Sequence, residues 1–514
     1  MGEIVVNSTV TGRFKIVTAC IGLKPAIVYF TYTWPLRLIH KKMKYFITIL
    51  VAAFFVSTSF SQSLKNWTIM HYSVGSNSSE TDLLSDIAEM KRGKKSKDYN
   101  LILLIDRTEG FSEDSTTLDG NFTDTRLYQI EYNSYNRLYG KEFLPEIGIN
   151  QSYDANMADA STLKKFIQYC KKYYPANHYM LVLRSHGNGV GMCPKAERGD
   201  KDRLYPAEIT NTLTKNESVD ILGLDVCSMA GLENLYQWRP ENNSFSSNYV
   251  IASAPLSGAW AYDRILERLT INSSEDVELD SNYFGGGKES NLNPNTMTPL
   301  DFSKLIIEEI YDNQRWASWG LFDNSKINEL KLKIDEASRL LAHEDKNVII
   351  NIIANTLGYY HNTSNNIELS QLAFPYLDAY HFWSQISANE SFANNTRNKA
   401  KEVCRLLDDF VIHSYYGQGF LPETSNFING KSGIYQIIPQ GNKLFTQTKK
   451  SFWSYCGWYS PNDKSSNQDS YGQYDWCIDG AIKGNDQVDN FFELLDFLFD
   501  ETNDKTGGVN NYKW

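Results

Sequence analysis

From Trp67 onward, blocks of consecutive apolar residues alternate with blocks in which apolar residues recur every third or fourth position. "WTIMHYSVG" is followed by "SETDLLSDIAEM", where Leu83, Leu84 and Ile87 share one helical face and Ser79 and Asp82 have capping-box spacing. "NLILLIDR" has the unbroken apolar character of a strand buried on both faces. "STLKKFIQYCKKYYP" reads as a helix stopped at Pro175, and "HYMLVLRSHG" as the next strand. "VDILGLDVC" and "NYVIASAP" are two more strands, each followed by a helical pattern. Continuous apolar strands separated by helices predict an α/β fold with a mostly parallel sheet covered on both faces. In such sheets reacting groups collect at the carboxyl ends of the strands.

After about Ser290 the pattern changes. "LDFSKLIIEEIYDNQ", "NELKLKIDEASRLLAHE" and "NKAKEVCRLLDDFVIHSYYG" are amphipathic helical stretches with few strands between them. "FPYLDAYHFW" reads as an aromatic helix face, "SGIYQIIPQG" as a strand and "VDNFFELLDFLFDE" as a last helix. These readings predict a first domain over 62–290 and a second, mixed and mainly helical region over 291–514 packed on it. His71 and His178 fall inside strand patterns and His343 and His413 at helix ends, all in structural roles.

The stretch "HKKMKYFITILVAAFFVSTSFSQSLKNW" adds a compartment. Lys41, Lys42 and Lys44 precede an apolar run from Phe46 to Val56, and small residues stand at Ser59 and Ser61. This is the layout of a secretory signal starting at Met43 and cut after Ser61, with 1–42 an upstream over-assignment. The run falls short of the roughly 20 apolar residues that span a bilayer. Export is therefore expected, without stable membrane insertion once the leader is removed.

Composition narrows the partners. With 42% apolar and 22% charged residues the chain is an ordinary globular one, and its net charge of -11 argues against a nucleic-acid partner. Beyond the leader, no Cys/His spacing matches a zinc site. Cys170 lies on an apolar helix stripe and belongs to the core. Cys456 and Cys477 either pair in an oxidising compartment or stay as two buried thiols.

Cys227 differs from these, because it ends the strand "VDILGLDVC" and turns directly into a helix. One strand earlier, "LVLRSHGNG" ends on His186 and Gly187. Carboxyl ends of parallel strands lie within several ångströms, so His186 can face Cys227 across a crevice. A histidine there can take the thiol proton and later protonate a leaving amine. The side-chain-free Gly187 lets its N–H approach a substrate carbonyl, and with the N–H of Cys227 it can form an oxyanion hole. A hydrolase-type nucleophile elbow would need glycines two residues either side of the nucleophile; here Asp225 and Met229 stand there.

"WTIMHYSVGSNSSETDLLSDIAEM", "YYPANHYMLVLRSHGNGVG" and "LGLDVCSMAG", in this order, resemble the clostripain family of cysteine peptidases, relatives of gingipain, legumain and the caspases. The resemblance implies a caspase-like α/β/α sandwich and endopeptidase activity on a protein or peptide substrate. It places His186 at the family's catalytic histidine and Cys227 at its nucleophile. It also puts Asp225 in the pocket for a basic substrate side chain, with Ser253 and Trp260 of "ASAPLSGAWAY" as further substrate contacts. That loop lacks the family's further acidic residues, which weakens the expected preference for Arg or Lys. Self-cleavage within "GMCPKAERGDKDRLYP" would fall at Lys195, Arg198, Lys201 or Arg203. Some relatives depend on calcium, but no EF-hand-like loop is present, so no cofactor is assigned. A monomer is expected. Two rivals share these residues: an idle caspase-like binding module, and a transpeptidase in which an amine rather than water resolves the acyl-enzyme.

Overall fold

The computed structural model describes residues 64–139, 153–194, 202–241, 243–258, 260–271, 291–313, 317–359, 374–417, 426–439, 471–482 and 487–499, with the backbone alone of 9–17, 27–35, 277–278 and 288–289. The chain divides into two units, Met1–Ser63 and Leu64–Trp514. The first contains an antiparallel hairpin in which Thr9–Val17 pairs with Ile27–Pro35. The secretory signal over 43–61 lies outside the described residues.

The second unit is built on one sheet. Its strands are β1 (Lys65–Gly75), β2 (Asn100–Arg107), β3 (Thr125–Glu131), β4 (Ser134–Leu138), β5 (Ala176–Arg184), β6 (Val219–Asp225), β7 (Ser247–Ala252), β8 (Trp319–Asp323) and β9 (Val411–Tyr415). Their spatial order is β9-β8-β7-β6-β5-β1-β2-β3-β4. The run from β7 to β2 is parallel throughout. Both edges are extended by antiparallel strands, β3 and β4 on one side and β8 and β9 on the other. All eight residues of β2 are buried, as its unbroken apolar run requires.

Helices cover both faces. On one face α1 (Glu80–Gly93), α5 (Tyr262–Glu267) and α6 (Pro299–Asn313) enclose an apolar core that includes Leu84, Ile87, Ile265 and Ile306. On the other, α2 (Ala160–Tyr173), α3 (Pro206–Thr212), α4 (Leu232–Gln237), α7 (Ile327–Leu341), α8 (Lys346–Asn355), α9 (Ala379–Ala388) and α10 (Asn394–Phe410) bury Phe166, Ile209, Leu235, Ile334, Ile349, Phe382 and Val403. The result is the three-layered α/β fold with a mostly parallel sheet that the hydrophobic pattern predicts, and Cys170 is fully buried within it.

Several local expectations are corrected. Residue 290 is not a structural boundary, because β8 and β9 from the supposed second region complete the same sheet. His413 sits inside β9 rather than at a helix end. In "FPYLDAYHFW", Tyr376–Asp378 is a short strand paired with Tyr435–Ile437, and the helix starts only at Ala379, where Asp378 accepts the His381 N–H. Ser79 caps α1 without a side-chain bond to the helix; its hydroxyl donates to Asn77 Oδ1 at 2.6 Å instead. Cys477 is a free buried thiol, and Cys456 lies outside the described residues.

Candidate active site

Strand β5 ends at Arg184 and β6 at Asp225, and these two residues are direct partners across the parallel ladder. Two residues beyond each partner stand His186 and Cys227, so the ladder register sets both groups at one level above the sheet. Contact between their loops is close. A Cβ on Gly187 would lie 2.3 Å from the Cys227 carbonyl oxygen and 3.2 Å from its nitrogen. Only glycine fits there, which gives the His-Gly pair of the sequence a steric cause.

The turn after the cysteine is strained. Ser228 has φ 58°, a left-handed conformation that costs a residue with a Cβ. It is held by hydrogen bonds from Ser228 N–H to Pro255 O at 2.9 Å and from Ala230 N–H to Ser253 O at 3.0 Å. Cys227 Sγ is half-buried, with the Ser257 amide 3.5 Å away and its hydroxyl 3.6 Å away, both able to donate to sulfur.

His186 is exposed, and its Nε2 lies 2.9 Å from Ser78 Oγ. Partial desolvation holds the imidazole below its ordinary pKa, helped by the positive charges of Arg184 and Arg203. The ring is therefore neutral at neutral pH and able to accept a proton. Its carbonyl accepts the Cys193 N–H at 2.9 Å. Cys193 itself is buried at φ 52°, so it serves the loop's backbone and not the chemistry.

Below this level the three residues expected to meet substrate are placed otherwise. Asp225 is 1% exposed, with Oδ2 3.0 Å from Arg184 Nε and accepting the Tyr262 hydroxyl at 2.8 Å. Arg184 also donates to Asp86 Oδ2 at 2.8 Å. Asp225 is thus not the open carboxylate the sequence suggested: its ladder partner supplies a resident cation. Ser253 is fully buried, its hydroxyl donating to Ser318 O at 2.6 Å. Trp260 is 1% exposed, stacked on Tyr262 and edge-on to Trp319, with its ring filling the space that a side chain on Gly223 would take. Both are core groups here and not part of a substrate wall.

The sequence profile of the clostripain family matches residues 71–483, a span that contains both strand ends. The chain belongs to the clostripain family. Clostripain from Hathewaya histolytica is 37% identical over 492 residues, 89% of this chain and 92% of that protein. An inactive zymogen C11 protease from Parabacteroides distasonis has a similar fold, with a TM-score of 0.51 at 16% identity over 81% of this chain and 98% of that one. A secreted C11 cysteine protease from Bacteroides thetaiotaomicron, solved with an irreversible peptide inhibitor, gives 0.48 at 18% identity over 76% and 99%. This clostripain-family protein is accordingly a cysteine endopeptidase with a caspase-like sandwich, which removes the idle binding module as a rival.

Ser78, Ser257 and Arg184, which touch His186, Cys227 and Asp225 respectively, carried no sequence signal that singled them out. Of the four basic residues considered for self-cleavage, Lys195, Arg198 and Lys201 lie outside the described residues. Arg203 is half-buried against Gly191 and adjoins a backbone bridge in which Leu204 N–H donates to Met192 O at 2.8 Å. It is therefore held against the fold, which disfavours it as a self-cleavage point. Among the described residues no group of three His, Cys, Asp or Glu side chains is placed to hold a metal, and no helix is long and apolar enough to cross a membrane.

Proposed function

We propose that this peptidase is exported, cleaves peptide bonds after Arg or Lys through Cys227 and His186, and cuts its own chain between 195 and 201. The observation that carries the dyad is the backbone contact of Gly187 with Cys227, which holds the imidazole and thiol loops together at the ends of adjacent strands. His186, neutral near pH 7, takes the thiol proton as Cys227 Sγ attacks the scissile carbonyl carbon. The resulting oxyanion is received by the N–H groups of Gly187 and Cys227. His186 then protonates the leaving amine, and the C–N bond breaks to leave a thioester. Water, deprotonated by the same ring, attacks the thioester and restores the thiol.

The basic preference is supported by the position of Asp225, which falls on the acidic pocket position implied by the family resemblance. Its carboxylate is 1% exposed and paired with Arg184, so a substrate cation has to displace that guanidinium to reach it. Export is supported by the cationic and apolar pattern of 41–56.

The test compares the chain with its Cys227→Ala variant on a peptide library read by mass spectrometry. The expected result is cleavage after Arg and Lys by the parent alone, with the parent itself split between 195 and 201 and the variant intact. Equal cleavage by both, or by neither, sinks the dyad. Joined peptides in place of cleaved ones would transfer the reading to transpeptidation.

A further inference from the structure

The carbonyls that follow His186 are met by hydroxyls from the far end of the chain. Tyr376 donates to Asn188 O at 2.6 Å, Tyr435 lies 2.8 Å from Gly189 O, and Tyr474 donates to Val190 O at 3.1 Å. Tyr435 Oη is also 2.7 Å from Ser228 O, the carbonyl immediately after the nucleophile. One hydroxyl therefore spans the histidine loop and the cysteine turn.

A tyrosine hydroxyl has a single proton, and the surrounding donors settle where it goes. Asn234 Nδ2 donates to Gly189 O at 2.8 Å and lies 3.2 Å from Tyr435 Oη. Gly189 O is satisfied by Asn234, so the Tyr435 proton serves Ser228 O. That bond restrains the very residue held at φ 58°. Tyr435 is fully buried, stacked on Tyr376 with ring centres 4.6 Å apart, and its own N–H donates to Ala230 O at 3.0 Å. Gly189, at φ 99°, is moulded to this pair: a Cβ there would fall 2.1 Å from the Tyr376 hydroxyl.

We infer that Tyr435, supported by Tyr376 and Tyr474, is a positioning residue that locks the loop bearing His186 and Gly187 in register with the turn bearing Cys227. The inference rests on the dyad reading above. Buried tyrosines remain protonated, so the lock holds over the whole working pH range; burial pushes the Tyr435 hydroxyl well above its ordinary pKa.

The experiment measures kcat, KM and thermal unfolding of Tyr435→Phe, Tyr376→Phe and Tyr471→Phe on a peptide the parent cleaves. Tyr471 is the control, a buried tyrosine of the same region whose hydroxyl donates to Ile437 O at 3.1 Å rather than to either catalytic loop. In Tyr435→Phe kcat should fall about tenfold or more while KM stays within about twofold, the signature of misaligned reacting groups. Tyr376→Phe should show a smaller loss of kcat, and Tyr471→Phe should keep its kcat even where it melts earlier. Unchanged kcat in Tyr435→Phe overturns the inference, as does a loss in all three that tracks melting temperature. If Tyr435→Phe does not fold, the contrast of Tyr376→Phe with Tyr471→Phe decides by the same criterion. Failure of the dyad is seen separately, as activity surviving in Cys227→Ala.

Discussion

A single methyl group at Gly187 would have to share space with the Cys227 carbonyl oxygen, 2.3 Å away. Relief requires the loops bearing His186 and Cys227 to part, and in the proposed dyad a displacement of about 1 Å between reacting groups costs on the order of a hundredfold in rate. Gly187→Ala should therefore lose activity on that scale while remaining folded, because the clash sits at the sheet's rim and not in its core. Steady-state kinetics beside a circular-dichroism melt check this, and a fully active variant would remove the steric argument. At this scale His186, Gly187 and Cys227 were readable because each ends an apolar run. The fate of Asp225 was not. Its ion pair with Arg184 depends on the register of β5 against β6, and "LVLRSHG" and "LGLDVC" taken separately do not reveal that the two residues face each other.

Among the elements, α4 illustrates a polar group whose meaning depends on a distant strand. Glu233 lies in its first turn, where an acid usually complements the helix dipole in water. Here it is fully buried and accepts the Ile437 N–H at 2.8 Å, tying the short Tyr435–Ile437 strand to the helix. Burial pushes its carboxyl up to about 8. The folded state therefore keeps a proton that the unfolded chain releases near pH 4.5, the ordinary value for this group. Its contribution to stability is complete below that pH and is lost as pH rises toward 8, a change of about a few kcal/mol. Glu233→Gln keeps an accepting oxygen and removes the titration. The gap between guanidinium unfolding curves of parent and variant should widen in the variant's favour from pH 5 to pH 8. Curves that stay parallel across that range would show that Glu233 does not titrate in this window. Nothing in "GLENLYQW" marks such a role, since the partner amide lies 204 positions further on.

Taken whole, the molecule does not divide where the sequence pattern changes. The run of helices after 290 hides two five-residue strands, "WGLFD" and "VIHSY", too short to stand out by alternation. Yet β8 covers the open edge of β7 with Trp319, Leu321 and Phe322 all buried, and Trp319 packs edge-on against Trp260 from before residue 290. A chain ending at residue 290 would expose the β7 edge and these aromatic surfaces, and would lack all three tyrosines that meet the histidine loop. A chain merely cut between 195 and 201 keeps every described strand of the sheet. β5 and β6 flank that cut and remain paired from Met180↔Ile221 to Arg184↔Asp225. The two breaks should therefore have opposite outcomes. The cut chain should elute as one species on size-exclusion chromatography, separate into two only in denaturant, and cleave peptides. Residues 62–290 alone should aggregate or unfold without a cooperative transition and show no turnover. A folded, active 62–290 fragment would mean that the catalytic centre is complete without the C-terminal strands and tyrosines, whereas fragments that drift apart after the cut would mean that the parallel ladder alone is too weak to hold His186 beside Cys227.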